Sequence, residues 1–138
     1  IVREILKARP HFASRLDESG MSPLHLSSRK GHVGATSELV RFDSDLSLVT
    51  DKEGWTALHM AATKGSVAIL SEILSASRES MAMLTSAGDS VLHLGVKNNR
   101  VDMVKYVVEN MDVSEILNMP DRGGNTILHL AVAAKLPQ

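Results

Sequence analysis

Apolar side chains follow a helical spacing in four segments of the chain. The clearest segment contains Ile69, Leu70, Ile73 and Leu74, whose positions i, i+1, i+4 and i+5 share one face of an α-helix. Each such segment predicts a helix that buries one face. The same spacing recurs at 103, 104, 107 and 108, more weakly at 35, 36, 39 and 40, and at 1, 2, 5 and 6.

A shorter motif, TALHMAA at 56–62, precedes three of these segments and appears again near residue 129. Its histidine recurs at 25, 59, 93 and 129, so the spacings are 34, 34 and 36 residues. A hydroxyl residue stands three positions before every histidine and predicts a helix N-cap. Gly31, Gly65 and Asn99 stand six positions after it and predict the helix end, while Lys135 takes that place in the fourth copy. The motif therefore predicts a short first helix of about two turns.

Turn residues occupy fixed places ahead of each motif. A glycine stands five positions before every histidine and predicts a turn with positive φ. Asp17, Asp51, Thr85 and Asp121 stand eight positions before it and suit hydrogen bonding to the turn's own backbone. Repetition at this period is typical of a solenoid, so we expect an all-α array. Its predicted parts are a second helix of a preceding repeat at 1–10, repeats at 17–42, 51–76 and 85–110, and a partial repeat at 121–138.

The segments between repeats are expected to be extended linkers that insert apolar side chains under the helices. The predicted inserts are Met81, Met83, Leu84, Ile116, Leu117 and Met119. We also expect the 138 residues to be a piece of a longer protein, cut inside a repeat at both ends.

Composition narrows the function classes. The chain is 43% hydrophobic but only 3% aromatic, which predicts an aliphatic core. It has no cysteine, so disulfides and thiolate metal sites are excluded. The net charge of −1 gives no global basic field, and nucleic-acid binding is not expected. No apolar run approaches the ~20 residues that span a bilayer.

The periodic histidines invite a metal or catalytic interpretation, which geometry disfavours. Equivalent side chains of stacked repeats lie in a row about 8–10 Å apart, whereas a metal ion needs its histidine nitrogens about 2.0–2.1 Å away. The chain also has no nucleophile elbow, Walker A loop or H-E-x-x-H motif. We therefore expect no enzyme activity, no metal and no cofactor. A structural, hydrogen-bonding role is predicted for His25, His59, His93 and His129.

Residues 51–65 (DKEGWTALHMAATKG) resemble an ankyrin repeat almost residue for residue, and the resemblance extends along the whole chain. It implies helix-turn-helix units joined by hairpin-like loops, with a concave face that binds a protein partner. The third repeat departs most, with Thr85 in place of Asp and Gly95-Val96 in place of the alanine pair.

A narrower resemblance involves 121–132 (DRGGNTILHLAV) together with Lys135, Pro137 and Gln138. This segment is similar to plant ankyrin-repeat proteins that carry a C-terminal membrane domain of the PGG type, and 31–32 and 43–48 share the likeness. Members of that group are associated with defence and stress signalling at membranes. The resemblance implies a membrane-anchored parent, with this array on the cytoplasmic face of the plasma membrane.

Candidate partner-binding residues are those that the repeat pattern leaves variable. Trp55 is the only tryptophan, and tryptophan is enriched among interface hot spots; the alternative is that it packs within its own turn. Four basic residues at first-helix ends predict a ridge suited to an acidic peptide, with anionic lipid headgroups as a second option and an ordinary solvated row as the alternative. The ridge residues are Arg29, Lys30, Lys64 and Lys97, and the turn candidates are Met21, Lys52, Glu53, Trp55, Asp89 and Asn125.

Two alternatives to the membrane-anchored interaction protein stay open. One is a soluble cytosolic or nuclear adaptor, and the other is the docking arm of a larger enzyme. Apolar runs of ~20 residues in the adjoining sequence would favour the membrane protein, and a catalytic motif there would favour the enzyme.

Overall fold

The computed structural model describes residues 1–134, and every regular element in that range is helical. The predicted all-α class is confirmed. In chain order the helices are α1 (Val2–Ala8), α2 (Pro23–Lys30), α3 (Val33–Phe42), α4 (Ala57–Lys64), α5 (Val67–Ala76), α6 (Val91–Lys97), α7 (Val101–Asn110), α8 (Ser114–Asn118) and α9 (Ile127–Ala134).

The helices form two stacked layers. The first helices of the repeats make one layer, in which α2 contacts α4, α4 contacts α6 and α6 contacts α9. The second helices make the other layer, in which α1 contacts α3, α3 contacts α5 and α5 contacts α7. Helices α2, α4 and α6 also contact the second helices of their own repeats, α3, α5 and α7. The architecture is therefore the predicted solenoid of stacked helix pairs.

Both ends of the first helices form as the sequence predicts. The Thr56 hydroxyl caps α4 by accepting the backbone N–H of His59 at 3.3 Å, and Ser22 and Ser90 cap α2 and α6 in the same way. Gly31 and Gly65 end α2 and α4 in the left-handed conformation, with φ of 76° and 74°. The equivalent Asn99 also has positive φ. Lys135, which takes this place in the fourth repeat, lies outside the described residues.

The apolar stripes of the second helices build the centre of the core. Ile69, Leu70 and Ile73 of α5 are fully buried, and so are Met103 and Val107 of α7. These side chains meet the leucine that precedes each motif histidine, which is fully buried in α2, α4 and α6. The core is aliphatic, as the composition predicts.

The third repeat compensates for its departure from the pattern. Gly95 stands where the second repeat has Ala61, and a Cβ on Gly95 would lie 2.1 Å from Cε of Met103. Met103 is itself fully buried. The larger side chain on α7 thus occupies the space that a methyl group fills in the neighbouring repeat, so α6 and α7 keep a close contact.

The prediction that the linkers are extended is wrong, because all four contain helical turns. Pro10–Ser14, Ser44–Leu48 and Arg78–Ala82 form 3-10 turns, and the last linker contains α8. Their i→i+3 bonds shorten the connection and satisfy backbone groups beside the core. Met81 and Ile116 are buried as expected, but Leu84 and Leu117 are exposed.

Candidate binding surface

A single aspartate organises three of the four turns that precede a first helix, and Thr85 stands in its place before α6. The Oδ1 of Asp51 accepts the backbone N–H groups of Glu53 and Trp55, both at 2.9 Å. The Asp51 amide in turn donates to the Trp55 carbonyl at 2.9 Å, and Gly54 closes the turn with a φ of 79°. Asp17 and Asp121 make the same pair of bonds. The bonds hold the turn tip, Lys52 and Glu53, exposed to solvent.

Backbone hydrogen bonds join the turns of neighbouring repeats. The Lys52 amide donates to the Ser19 carbonyl at 3.3 Å, and the Ser86 amide donates to the Glu53 carbonyl at 3.0 Å. A Cβ on Gly54 would lie 2.8 Å from the Ser86 nitrogen, so a side chain there would push the two turns apart. The turn tips of the first three repeats therefore form one edge of the array.

The motif histidines connect each first helix to the following repeat. Nδ1 of His25 accepts the Ser22 amide at 3.1 Å, which leaves the ring proton on Nε2. Nε2 of His25 donates to the Trp55 carbonyl at 2.7 Å, and His93 donates to the Asn125 carbonyl at 3.2 Å. His59 reaches the Met83 carbonyl at 3.0 Å. These three rings are fully buried, and burial lowers the pKa of His59 below its ordinary 6.5.

His129 differs from the other three motif histidines. Its Nδ1 accepts the Thr126 amide at 3.3 Å, yet its ring is exposed. The described part of the chain, up to residue 134, also places no group of three or more His, Cys, Asp and Glu where they could hold a metal ion.

Trp55 has one side on the core and one side toward solvent. Its ring meets the His59 ring edge-on, with centroids 6.1 Å apart and an interplanar angle of 62°. The side chain is half-buried and packs against the apolar core. Trp55 therefore packs within its repeat and still presents surface, and its role in partner binding stays a prediction.

Three turn candidates are less accessible than expected, which corrects their predicted exposure. Met21 is buried because it lies directly before the cap of α2, and its sulfur lies 3.8 Å from an Arg29 nitrogen. Asp89 is buried and accepts a hydrogen bond from Lys97. Asn125 is half-buried, and its carbonyl accepts the His93 bond.

Lys97 is not a free member of the basic ridge, which corrects a second expectation. Its Nζ lies 2.7 Å from Asp89 Oδ1 and 3.1 Å from Asp121 Oδ2. The backbone amide of Asn125 and then Lys97 hold the pKa of Asp121 at about 2. Burial lowers the pKa of Lys97, but the hydrogen bonds from the two carboxylates outweigh it and leave that pKa raised. The cluster joins the third repeat to the fourth and has no excess positive charge.

Arg100 replaces Lys97 as a member of the exposed basic surface. Its Nε donates to the Thr63 carbonyl at 2.8 Å, at the C-terminal end of α4, and its side chain lies over Gly65. A cation is favourable at the C-terminal end of a helix dipole. The sequence offers one signal for this residue, since Arg100 directly follows Asn99, where the first two repeats have His32 and Ser66. The exposed basic surface consists of Arg29, Lys30, Lys64 and Arg100.

The stacked helix pairs, capped first helices and linked turns define a repeat solenoid whose turn tips are exposed to solvent. The family model for ankyrin repeats, in three copies, matches residues 1–82. Because that match covers more than half of the 138 residues, the chain belongs to the ankyrin repeat family. Ankyrin repeats are typically non-catalytic, and the chain is accordingly a protein–protein interaction scaffold.

The curated proteins contain no match to the chain. Among the helices of residues 1–134, none combines the length and the apolar character needed to cross a bilayer.

Proposed function

We propose that the chain recognises a protein partner through its concave face, with no chemical step. This face is formed by the turn tips and the outer sides of the first helices. The observation that carries the proposal is a difference in burial between neighbouring residues within the first three repeats. Histidine, hydroxyl cap and leucine are buried in fixed roles, whereas Lys52, Glu53 and Lys64 beside them are exposed.

Trp55 is the anchor of the proposed contact. Its backbone is fixed on both sides, by Asp51 in its own turn and by His25 of the preceding repeat. A half-exposed indole on a rigid turn loses little conformational freedom on binding, which favours a hot-spot role. The exposed Lys52 and Glu53 adjoin it at the turn tip, and the half-buried Asn125 offers a smaller surface on a later turn.

An acidic peptide is the partner segment that the charges favour. Arg29 and Lys30 end α2, Lys64 ends α4, and Arg100 lies at that same end of α4. Helices α2 and α4 contact each other, so these cations share one side of the first two repeats. Arginine and lysine there can bind carboxylates, and a local positive field raises the association rate of an acidic segment even though the net charge is −1.

The proposal is tested by selecting ligands from a random displayed-peptide library against the whole chain. We expect selected peptides rich in Asp and Glu. Their affinity should fall at least about tenfold for the double variant Arg29→Glu, Lys64→Glu. This corresponds to a loss of about 1.4 kcal/mol in binding free energy. The matched control is Lys7→Glu, Lys105→Glu, which makes the same charge change on the second helices α1 and α7. Peptides without acidic residues, or equal losses in both double variants, would contradict the acidic-peptide proposal.

We further propose that the parent is a plant membrane-anchored protein of defence or stress signalling, with this array on the cytoplasmic face. The support is the likeness of 121–132 to the PGG-type group, stated above. Sequencing the transcript beyond codon 138 tests it. Apolar runs of ~20 residues after the array are expected. A catalytic domain there would favour the enzyme-docking alternative, and a soluble extension would favour the adaptor.

A further inference from the structure

The two ends of the first helices carry opposite charge. A first helix begins beside a turn and ends at the loop that leads into the second helix, as α4 does between Thr56 and Gly65. The turns at 17–21, 51–55, 85–89 and 121–125, which we call the turn edge, contain six Asp or Glu and two Lys or Arg. The loops at 29–33, 63–67 and 97–101, which we call the loop edge, contain five Lys or Arg and no Asp or Glu. The net charge of −1 is thus divided between an acidic edge and a basic edge.

Four cations of the loop edge are open to solvent. Arg29 and Lys30 lie in the first loop, Lys64 in the second and Arg100 in the third. Within residues 1–134, the ion pairs of this edge involve only Lys97, which faces the turn carboxylates. Asp102, one position beyond the third loop, lines a cleft together with Lys64 and Arg100 and offsets one of their two charges. The loop edge therefore keeps a positive excess across three repeats.

A row of apolar side chains accompanies these cations. Val33, Val67 and Val101 are the first residues of α3, α5 and α7, and so hold the same position in three repeats. Val33 is 38% exposed and Val101 is 37% exposed, while Val67 is half-buried. The loop edge thus combines exposed positive charge with exposed apolar surface.

The stacking of the repeats sets these groups along one line. Helices α2, α4 and α6 contact one another in order, and packed helices lie about 8–10 Å apart. Neighbouring loops therefore follow one another at about that interval, at the same end of each first helix. A flat anionic surface can touch all three loops at once. It would also repel the acidic turn edge at the opposite end of the helices, so the charges would orient the array upon it.

We propose that the loop edge docks on the surface of an anionic lipid bilayer. Lysine and arginine near such a surface are attracted to its negative headgroups. Apolar side chains beside the cations can enter the boundary between headgroups and acyl chains, which is the role of the valine row. Trp55 and the turn edge then point away from the bilayer. The inference rests on loops inside the array and depends neither on the proposed partner nor on the proposed parent, although an acidic partner would compete for the same cations.

Co-sedimentation with lipid vesicles tests the docking. The 138-residue chain should bind vesicles of phosphatidylcholine with about 30% phosphatidylserine and should not bind phosphatidylcholine alone. Binding at about 0.1 M salt should fall at about 0.5 M, where screening is stronger. Arg29→Glu, Lys64→Glu should lower the partition coefficient at least about tenfold. The matched control Lys7→Glu, Lys105→Glu makes the same charge change on α1 and α7 and should bind like wild type.

Tryptophan fluorescence tests which edge meets the lipid. Trp55 is the only tryptophan and lies at the turn end of α4, so brominated lipids should leave its emission unchanged in the bound chain. The double variant Trp55→Phe, Val101→Trp moves the reporter to the loop edge, where the same lipids should quench it. Circular dichroism verifies the fold of every variant. If Arg29→Glu, Lys64→Glu fails to fold, Lys30→Glu, Lys64→Glu replaces it, because both lysines are exposed.

Three results would overturn the docking: a wild-type chain that stays unbound with the anionic vesicles at low salt, equal losses in the two charge-reversed double variants, or quenching of Trp55 without quenching of the reporter at position 101. A chain that binds a selected acidic peptide but no vesicles would overturn the docking and leave the proposed partner standing. A chain that binds vesicles but no peptide would support the docking and contradict the proposed partner.

Discussion

His25 donates a hydrogen bond from Nε2 to the backbone carbonyl oxygen of Trp55, across 2.7 Å and from one repeat to the next. The same carbonyl accepts the Asp51 amide at 2.9 Å. The histidine of one repeat thus fixes the turn that carries the exposed side chains of the following repeat. This bond connects the buried motif to the surface on which we propose that a partner binds.

Removing a bridging histidine should cost more stability than removing the exposed one. His25→Ala loses the buried bond to the cap backbone and leaves the Trp55 carbonyl with one partner fewer. We expect a loss of about 2–4 kcal/mol, from an unmade buried hydrogen bond and a weakened cap. His129→Ala is the matched control, because it loses only the cap bond and its ring is exposed, so about 1 kcal/mol or less is expected. Urea unfolding measures both, and equal losses would contradict the bridging role.

Stability should fall as the pH drops below about 6.5, in part through His59. Burial lowers the pKa of His59 in the folded chain below its ordinary 6.5. The unfolded chain therefore binds a proton at that histidine before the folded chain does, so the free energy of unfolding decreases as the pH falls. Thermal unfolding between about pH 7.5 and pH 5 measures the slope. The slope should be smaller in His59→Gln, and an unchanged slope would show that His59 is not responsible.

The contact between Arg100 and Gly65 can be separated from backbone strain. Gly65→Ala and Gly31→Ala both place a side chain at positive φ, with nearly the same strain of about 1–2 kcal/mol. A Cβ on Gly65 would lie 2.7 Å from Cδ of Arg100, while Gly31 has nothing within 4 Å. We therefore expect Gly65→Ala to lower the urea midpoint more than Gly31→Ala. When Arg100→Ala is added to both variants, the difference between their urea midpoints should disappear. A persistent difference would contradict the packing account.

Lys97 should hold the pKa of Asp121 low. That pKa is about 2, through the Asn125 amide and then Lys97, against an ordinary 3.8. In Lys97→Met the carboxylate keeps its backbone partners but loses the cation, so NMR titration should show a higher pKa. Asp121 stabilises the fold above about pH 3.8 and loses that contribution as the pH falls toward 2, and the loss should be smaller in the variant. Lys64→Met, distant from Asp121, should leave the titration unchanged; an unchanged titration in Lys97→Met would contradict the cluster.

The sequence was sufficient for those parts of the fold that repeat at one period. The caps at Ser22 and Thr56, the left-handed ends at Gly31 and Gly65, and the aspartate-bound turns all depend on contacts within one repeat, so each column of the aligned repeats carries the signal. The 3-10 turns were not predicted, because the linkers differ in sequence between repeats and share no such column.

Contacts between repeats were the main source of error in the candidate surface. Lys97 ends α6 as Lys64 ends α4, although Thr63 is its equivalent in the repeat register, and it binds Asp89 and Asp121, which lie on the turns of two successive repeats. The second repeat has Trp55 where the third has Asp89, so Lys64 has no such carboxylate at that position. Arg100 was missed for a similar reason, since its partner carbonyl at Thr63 belongs to the preceding repeat.

The footprint of a bound peptide tests the central claim most directly. A selected acidic peptide is titrated into isotope-labelled chain, and the backbone amide shifts are followed by NMR. We expect the largest changes at Lys52, Glu53, Trp55 and Lys64, with little change along the second helices α3, α5 and α7. A footprint centred on those second helices, or one spread evenly over both layers, would contradict recognition by the concave face.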